Sequence, residues 1–260
     1  MNHIKWYYGM ILILSFIFIN CALGDQIILV ADEWCPYNCS PNSGRKGYMV
    51  DLATQILGEA GHRVTYQTIN WSRSIVKARE GMYHGIIGSS REEAPDFIFT
   101  KEPFGLANCH YWVKKGDPWR YNGLNSLKGR WLGVIQDYDY GKELGDYINK
   151  NEGTFAVQER AGDDALDILI KKLEHGRINT LNEDKNVFLY KLKKLGKMGL
   201  FEDAGHDLTS IESNYIYIAF SPFFKQSKEY ANILNEGLIR YRKNGTLQKL
   251  LSEYGLTDWK

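Results

Sequence analysis

The spacing of apolar residues near the start of the chain predicts a strand, a helix and a second strand. Residues 27–31 form a short, uninterrupted apolar run, which is typical of a buried strand. Apolar residues then recur at helical spacing over 50–60, and Gly61 is placed to end that helix. Residues 64–66 resume the strand pattern. Such a unit implies a parallel strand pair, and ligands bind at the carboxyl ends of such strands, so the loop 32–48 lies where a ligand would be held.

The same order of elements recurs along the rest of the chain. Strand-like runs end in polar or aromatic loops, and most are followed by an amphipathic helical pattern. The predicted strands are 85–88, 107–113, 132–135, 155–157, 178–182 and 215–220, and the predicted helices begin near positions 71, 141, 165, 187, 229 and 247.

These elements predict an α/β protein with two lobes, each a mixed, mostly parallel sheet flanked by helices. We interpret the second lobe, residues 113–218, as an insertion into the first, which comprises 25–112 and 219–260. The chain would cross between the lobes near Val113 and again near 215–220. Two connecting strands of this kind form a hinge, and a cleft between lobes is a favoured small-ligand site.

The first 24 residues have the pattern of a cleaved signal peptide. Lys5 precedes an apolar stretch over 10–19, and residues 22–24 match a small-x-small cleavage signature. The apolar stretch is about half of the ~20 residues that a membrane-spanning helix needs. We therefore predict export to the periplasm, with Asp25 at the mature N-terminus. An uncleaved membrane anchor and a lipid attached to Cys21 are the alternatives.

Removal of the signal peptide changes the formal net charge of the chain from +1 to 0, because Lys5 leaves with it. A chain without net positive charge has no general attraction to nucleic acid or anionic lipid. The chain that remains is long enough for two small lobes of ~100–130 residues each. The 7 Trp and 17 Tyr residues stand out, because their rings serve ligand sites as well as cores.

Three cysteines remain after export: Cys35, Cys39 and Cys109. In an oxidising compartment we predict a Cys35–Cys39 disulfide that rigidifies the first loop. A metal site is the alternative for this pair, but no histidine or third cysteine lies nearby in sequence, and we predict no metal and no cofactor. Cys109 is expected to be a buried free thiol.

Aromatic residues of the first loop and of the turn at 70–73 are candidate ligand platforms. Trp34, Tyr37 and Trp71 offer faces that attract ammonium groups and cover apolar ligand surface, although each is also compatible with a core position. The loop 136–140 precedes a predicted helix, whose N-terminal amides bind anionic groups, and we select Asp139 and Tyr140 from it.

Several motifs together resemble the periplasmic solute-binding proteins of the amino-acid type, bacterial extracellular solute-binding protein family 3. The matching segments, in the family's order, are ADEWCPYN (31–38), GYMVDLATQILGEAGHRVTY (47–66), GIIG (85–88), SLKGRWLGVI (126–135), GRINTLNED (176–184) and the C-terminal stretch 219–255. This resemblance covers nearly the whole mature chain. It implies a type II periplasmic-binding-protein fold whose two lobes close on a small polar ligand.

The resemblance also implies site residues and partners. Arg91 corresponds to the arginine that grips a ligand carboxylate, with Ser89 and Ser90 as hydroxyl donors. Asp184 corresponds to the aspartate that faces a ligand ammonium. An amino acid, or a related small acid or amine, would be the ligand, and a permease of an ABC transporter would receive it from a monomeric protein. The residues alone also allow Arg91 to be a surface charge and Asp184 to be a helix N-cap.

Two other functions are alternatives for a chain with this pattern. Catalytic signatures such as G-x-S-x-G, Walker-type glycine runs and H-E-x-x-H are absent from the sequence, although some relatives of the fold are dehydratases. A free ligand-sensing protein that presents its closed form to a receptor is the second alternative. We predict a binding protein rather than an enzyme, with Arg91 and Asp184 facing each other across the cleft around a ligand that carries a carboxylate and an ammonium.

Overall fold

The computed structural model describes residues 24–207 and 214–260. The predicted signal peptide, apart from Gly24, lies outside the described residues. Within the two described stretches, no helix has both the length and the apolar character needed to cross a bilayer.

Eleven strands and seven α-helices are present in the described part of the chain. In chain order the strands are β1 (Gln26–Ala31), β2 (Arg63–Thr68), β3 (Gly85–Ser89), β4 (Ile98–Phe99), β5 (Gly105–Leu106), β6 (Cys109–Lys114), β7 (Leu132–Ile135), β8 (Val157–Arg160), β9 (Thr180–Asp184), β10 (Phe201–His206) and β11 (Tyr215–Phe220). The helices are α1 (Tyr48–Glu59), α2 (Trp71–Arg79), α3 (Gly141–Lys150), α4 (Ala165–Glu174), α5 (Lys185–Lys194), α6 (Ser227–Asn244) and α7 (Thr246–Glu253).

The strands form two mixed sheets, one in each lobe. The first sheet has the order β2-β1-β3-β11-β4, with β5 also paired to β11. Strand β1 runs parallel to β2 and to β3, as the strand–helix–strand pattern predicted, whereas β11 is antiparallel to its neighbours. The second sheet has the order β10-β6-β9-β7-β8, with β7 parallel to β8 and to β9. The prediction of two α/β lobes is therefore confirmed.

The helices cover the sheets with the faces that their apolar spacing predicted. Helix α1 buries seven residues, among them Leu52, Ile56 and Leu57, and it packs against α6. The approach of these helices is close, because a Cβ at Gly237 would lie 2.2 Å from Cγ2 of Ile56. Helix α1 ends at Glu59, and Gly61 follows with φ of 92°, which is the left-handed conformation expected after a helix C-terminus.

The chain changes from one sheet to the other earlier than the sequence indicated. It leaves the first sheet after Leu106 and enters the second at Cys109, and it returns between His206 and Tyr215. The predicted lobe boundaries at 112/113 and 218/219 thus fall inside β6 and β11. The two crossing segments are joined by a hydrogen bond from the amide of Ala107 to the carbonyl of Asn214, 2.8 Å long.

Candidate functional site

A cavity of about 420 Å³ lies between the two lobes, at the carboxyl ends of β1, β3, β7 and β9. Both lobes and both crossing segments contribute to its walls. The polar and aromatic residues from the first lobe are Asp32, Trp34, Asn38, Trp71, Ser90 and Glu93. Those from the second lobe and the crossings include Asn108, Cys109, Tyr111, Tyr138, Asp139, Tyr140, Asn182, Glu183 and Tyr215.

The loop after β1 is held in shape by its own contacts, and it presents Trp34 to the cavity. A disulfide joins Cys35 to Cys39, as the sequence predicted, and a backbone bridge pairs Trp34 with Asn38. The Trp34 ring stacks on Tyr37, with ring centroids 4.3 Å apart. Trp34 then donates its indole N–H to Oε1 of Glu183 in the other lobe, at 3.1 Å.

Tyr37 does not line the cavity, but its ring stacks on Trp34, which does. Its side chain is 1% exposed, and its hydroxyl lies 2.9 Å from the carbonyl oxygen of Leu106 and 3.2 Å from Oδ2 of Asp184. The side-chain amide of Asn186 donates to the same hydroxyl. Tyr37 therefore fixes the Trp34 ring and joins the first loop to the start of α5.

Trp71 lines the cavity, and its indole N–H donates to Oε1 of Glu93 at 2.8 Å. The backbone amide of Ser90 donates to Oε2 of the same carboxylate at 2.8 Å. Burial raises the pKa of Glu93 to about 7, and these hydrogen bonds only partly offset the effect. Ser90 lines the cavity and donates its hydroxyl to Oδ2 of Asp139 at 3.0 Å, whereas Ser89 is fully buried beneath it.

Arg91 lies away from the cavity, contrary to the predicted role. Its guanidinium stacks over the Tyr217 ring at 4.3 Å and near the Phe99 ring at 5.1 Å, and it donates to the carbonyl oxygen of Thr100 at 2.9 Å. Arg91 is exposed and does not line the cavity. Arg91 therefore occupies a surface position, which was the alternative prediction for this residue.

Asp184 is also absent from the cavity wall, because its carboxylate is used internally. Oδ1 accepts the amide of Val187 and so caps α5, while Oδ2 accepts the amide of Asn108 and the hydroxyl of Tyr37. Burial raises the pKa of Asp184 to about 6. Asp184 is therefore the N-cap of α5, which was the alternative prediction for this residue. Arg91 and Asp184 do not face each other across the cleft.

Glu183 and Asp32, which the sequence did not select, lie in the cavity wall. Glu183 is 4% exposed and accepts the Trp34 indole and the amide of Asp184. Burial raises its pKa to about 8, and the nearby carboxylates of Asp184 and Asp32 add to the shift. Asp32 accepts the hydroxyl of Tyr138, and burial raises its pKa to about 6.

Asp139 and Tyr140 line the cavity, but the helix N-terminus behind them is already occupied. Oδ1 of Asp139 accepts the amide of Gly141 at 2.8 Å, so this carboxylate fills the position that an anionic ligand group would take. The Tyr140 hydroxyl accepts the amide of Ile135 and donates to the carbonyl of the same residue.

The charge of the cavity wall is strongly acidic. Lys142 is the single basic residue among the wall residues that the structure describes, and its ammonium pairs with Asp146 on the outer face of α3. In residues 24–207 and 214–260, no cluster of histidine, cysteine, aspartate and glutamate has the arrangement of a metal site. The acidic wall residues are Asp32, Glu93, Asp139, Glu143, Glu183 and Asp207.

Cys109 was expected to be buried, but its side chain is exposed to the cavity. The chain enters the second sheet at this residue, and the residue lines the cavity. The dense protein around the sulfur raises the pKa of the thiol, and the carboxylates of Asp184 and Glu183 raise it further. The thiol therefore stays protonated and is a poor nucleophile near neutral pH.

Comparison with known proteins identifies the family. The model of the bacterial extracellular solute-binding proteins, family 3, matches residues 27–257. A probable amino-acid-binding protein, YxeM of Bacillus subtilis (strain 168), is 23% identical over 227 residues, which cover 84% of this chain and 79% of YxeM.

Two solved structures share the fold. A histidine kinase sensor domain with similarity to periplasmic binding proteins has a TM-score of 0.72 and 18% identity, over 89% of this chain and 96% of that one. The amino acid ABC transporter substrate-binding protein AbpA of Streptococcus pneumoniae, bound to L-arginine, has a TM-score of 0.69 and 16% identity, over 89% and 94%. These likenesses confirm the predicted type II periplasmic-binding-protein fold. The chain belongs to the bacterial extracellular solute-binding proteins of family 3, and it is a binding protein rather than an enzyme.

Proposed function

We propose that this protein is exported, captures a small polar solute in the cavity between its lobes, and delivers it to the permease of an ABC transporter. The solute belongs to the range of amino acids and small amines. The protein acts as a monomer, and the mature chain begins at Asp25.

The observation that supports this proposal most directly is the set of hydrogen bonds across the cavity. Trp34 donates to Glu183, Tyr138 donates to Asp32, and Ser90 donates to Asp139, so three pairs join the first lobe to the second around one space. A solute in that space would touch both lobes at once. Its binding free energy would then favour the closed arrangement over an open one, which is how hinged binding proteins signal occupancy.

Relatives of the chain support the same function. The Streptococcus pneumoniae structure is a transporter substrate-binding protein with L-arginine bound, and the Bacillus subtilis relative is described as a probable amino-acid-binding protein. The signal-peptide pattern of the first 24 residues agrees with a family of extracellular proteins. A permease in the membrane is the partner that such a protein would need.

The test is a thermal-shift screen of the oxidised mature chain against amino acids, amines and polyamines, dicarboxylates and aromatic acids. A true ligand at a hundredfold excess over its Kd would raise Tm by about 5–10 °C, because it binds the native state alone. Small-angle X-ray scattering on the same samples would show a smaller radius of gyration with the ligand. Failure of every solute class to raise Tm would contradict the proposal.

A free sensory protein is the second candidate, because a histidine kinase sensor domain shares the fold at a TM-score of 0.72. Uptake of the labelled ligand by cells with and without this protein separates the two candidates. Loss of uptake supports delivery to a permease. Unchanged uptake together with an altered transcriptional response to the ligand supports sensing.

A further inference from the structure

Three carboxylates of the cavity wall, of which Glu183 is buried and Glu93 and Asp32 are partly buried, have neutral hydrogen-bond partners. Glu93 accepts the Trp71 indole and the Ser90 amide, Glu183 accepts the Trp34 indole and a backbone amide, and Asp32 accepts the Tyr138 hydroxyl. None of the three takes part in a salt bridge within the described ranges. Buried carboxylates are costly unless a positive charge balances them, so this wall is suited to receive one.

Groups that would bind a ligand carboxylate are engaged elsewhere. The Ser90 amide after β3 donates to Glu93, the Gly141 amide of α3 donates to Asp139, and the Val187 amide of α5 donates to Asp184. Arg91 stacks on Tyr217, outside the cavity. At the N-termini of α3 and α5 a carboxylate of the chain itself accepts a backbone amide, so a free carboxylate on the ligand would meet like charge there.

Two amide oxygens provide independent support for a ligand that donates hydrogen bonds. Oδ1 of Asn38 and Oδ1 of Asn182 are buried without a hydrogen-bond partner, on side chains that are 1% and 3% exposed. Both residues line the cavity. The Asn38 amide nitrogen donates to the carbonyl oxygen of Asp32 at 2.7 Å, which fixes the orientation of that amide and leaves its oxygen as a free acceptor. Buried acceptors of this kind are normally satisfied, and an N–H donor on a ligand would satisfy them.

The remaining wall is aromatic. Trp34, Trp71 and Tyr138 line the cavity beside the three carboxylates, and each is hydrogen-bonded to one of them through its polar group. Aromatic faces attract ammonium and guanidinium groups and cover the alkyl chain between two charges. Burial raises the pKa of Glu183 to about 8 and of Glu93 to about 7. A raised pKa is expected for a carboxylate that has no cation beside it, and a bound cation would lower it.

We propose that the ligand is a multiply charged organic cation of the aliphatic diamine and polyamine class, without a free carboxylate, whose ammonium groups bind Glu183, Asp32 and Glu93. This inference rests on the proposed solute-binding function and specifies its ligand. The acidic wall holds more than one carboxylate in each lobe, which favours more than one positive charge on the ligand. The cavity volume of about 420 Å³ is within the range of small-molecule sites.

The experiment is isothermal titration calorimetry of the mature, oxidised chain with matched solute pairs that differ by the α-carboxylate alone. The pairs are 1,5-diaminopentane with L-lysine, 1,4-diaminobutane with L-ornithine, and agmatine with L-arginine, and spermidine is added as a longer cation. We expect the decarboxylated member of at least one pair to bind at least about tenfold more tightly, because like charges placed together cost several kcal/mol. Tighter binding of the amino acids would overturn this inference and leave the proposed function standing. No binding by any solute class would overturn both.

Substitutions of two wall glutamates test whether the ammonium groups of the ligand bind at these carboxylates. Glu93→Gln and Glu183→Gln keep the side-chain size and remove a charge, and each should weaken amine binding by about 30-fold or more. Glu92→Gln is the matched control, because Glu92 is exposed and does not line the cavity, and its Kd should stay within about threefold of the parent. Equal Kd values for Glu93→Gln and Glu92→Gln would contradict the assignment of Glu93. The matched solute pairs test the inference in the unmodified protein even if a variant does not fold.

Discussion

The indole N–H of Trp34 lies 3.1 Å from Oε1 of Glu183, and this bond joins the first loop of one lobe to the end of β9 in the other. Glu183 is 4% exposed, so the bond satisfies a carboxyl oxygen that water does not reach freely. The same indole ring forms part of the cavity wall. One side chain thus contributes to lobe closure and to the ligand surface.

Trp34→Phe should separate these two contributions. Phenylalanine keeps an aromatic face but has no N–H, so Glu183 loses its donor from the first lobe. We expect the free energy of unfolding to fall by about 1–3 kcal/mol, the usual cost of leaving a buried polar group unsatisfied. Urea titration followed by circular dichroism measures the change. Trp131→Phe is the control, because Trp131 is 45% exposed, and an equal loss in both variants would contradict the role of the bond.

The stability of the ligand-free protein should decrease as pH rises from about 6.5 to about 8.5. Burial raises the pKa of Glu183 to about 8 and of Glu93 to about 7, so the native state holds protons that the unfolded state has already released. Each such carboxyl lowers the free energy of unfolding by up to about 1.4 kcal/mol per pH unit within this window.

Histidines oppose this trend only at lower pH. Burial lowers the pKa of His84 and of His110 in the folded protein, so their destabilising effect appears as pH falls below their ordinary value and not within the chosen window. Glu183→Gln should flatten the slope, since it removes the group with the highest of these carboxyl pKa values. Parallel curves of Tm against pH for the variant and the parent would count against the assignment.

Arg91→Ala should lower stability but leave solute binding unchanged. The guanidinium stacks over Tyr217 at 4.3 Å and donates to the Thr100 carbonyl, contacts that together are worth about 1–2 kcal/mol. Chemical denaturation and calorimetry on the same preparation measure both effects. Arg73→Ala, at an exposed position of α2, is the control for stability. A Kd for the ligand that rises more than about tenfold in Arg91→Ala would restore the carboxylate-gripping role and contradict the position found here.

Gly47→Ala should destabilise the protein through the first loop. Gly47 has φ of 104°, and a Cβ at this position would lie 2.4 Å from the carbonyl oxygen of Tyr37, which belongs to backbone and cannot move aside cheaply. We expect a loss of about 2–4 kcal/mol from the left-handed conformation and the clash together. Gly58→Ala is the control within the same helix segment. It has open space at Cβ and should stabilise α1 by about 0.5–1 kcal/mol.

Much of the fold could be predicted from the sequence, because it depends on local apolar spacing. The pattern of α1 has a helical period, the run that forms β11 is rich in aromatic and β-branched residues, and the cysteine pair lies only four residues apart. The two sheet crossings were placed several residues late, because the strand-like runs 107–113 and 215–220 carry no mark of where one sheet ends and the other begins. Alternation alone does not mark which sheet a strand joins.

The site was harder to predict, because it depends on which way neighbouring side chains point. Glu183 and Asp184 are adjacent at the end of β9, so one faces the cavity and the other faces the start of α5. The family resemblance selected Asp184, which in the structure accepts the Val187 amide as the N-cap of α5. Arg91 follows β3 at the expected distance, but its guanidinium stacks on two aromatic rings, Phe99 and Tyr217, and not in the cavity. A charge count of the loops would have indicated the acidic wall, without showing which carboxylates are buried.

The position of β11 between β3 and β4 restricts the order in which the chain acquires its structure. The second sheet uses the continuous stretch 109–206, whereas the first lacks an inner strand until residues 215–220 have been made. We expect residues 109–206 to become protease-resistant before the first lobe when the denatured chain is refolded, and simultaneous protection would contradict this order. The first lobe therefore cannot complete its sheet until nearly the whole chain has been made, although its first strand is the first to be made.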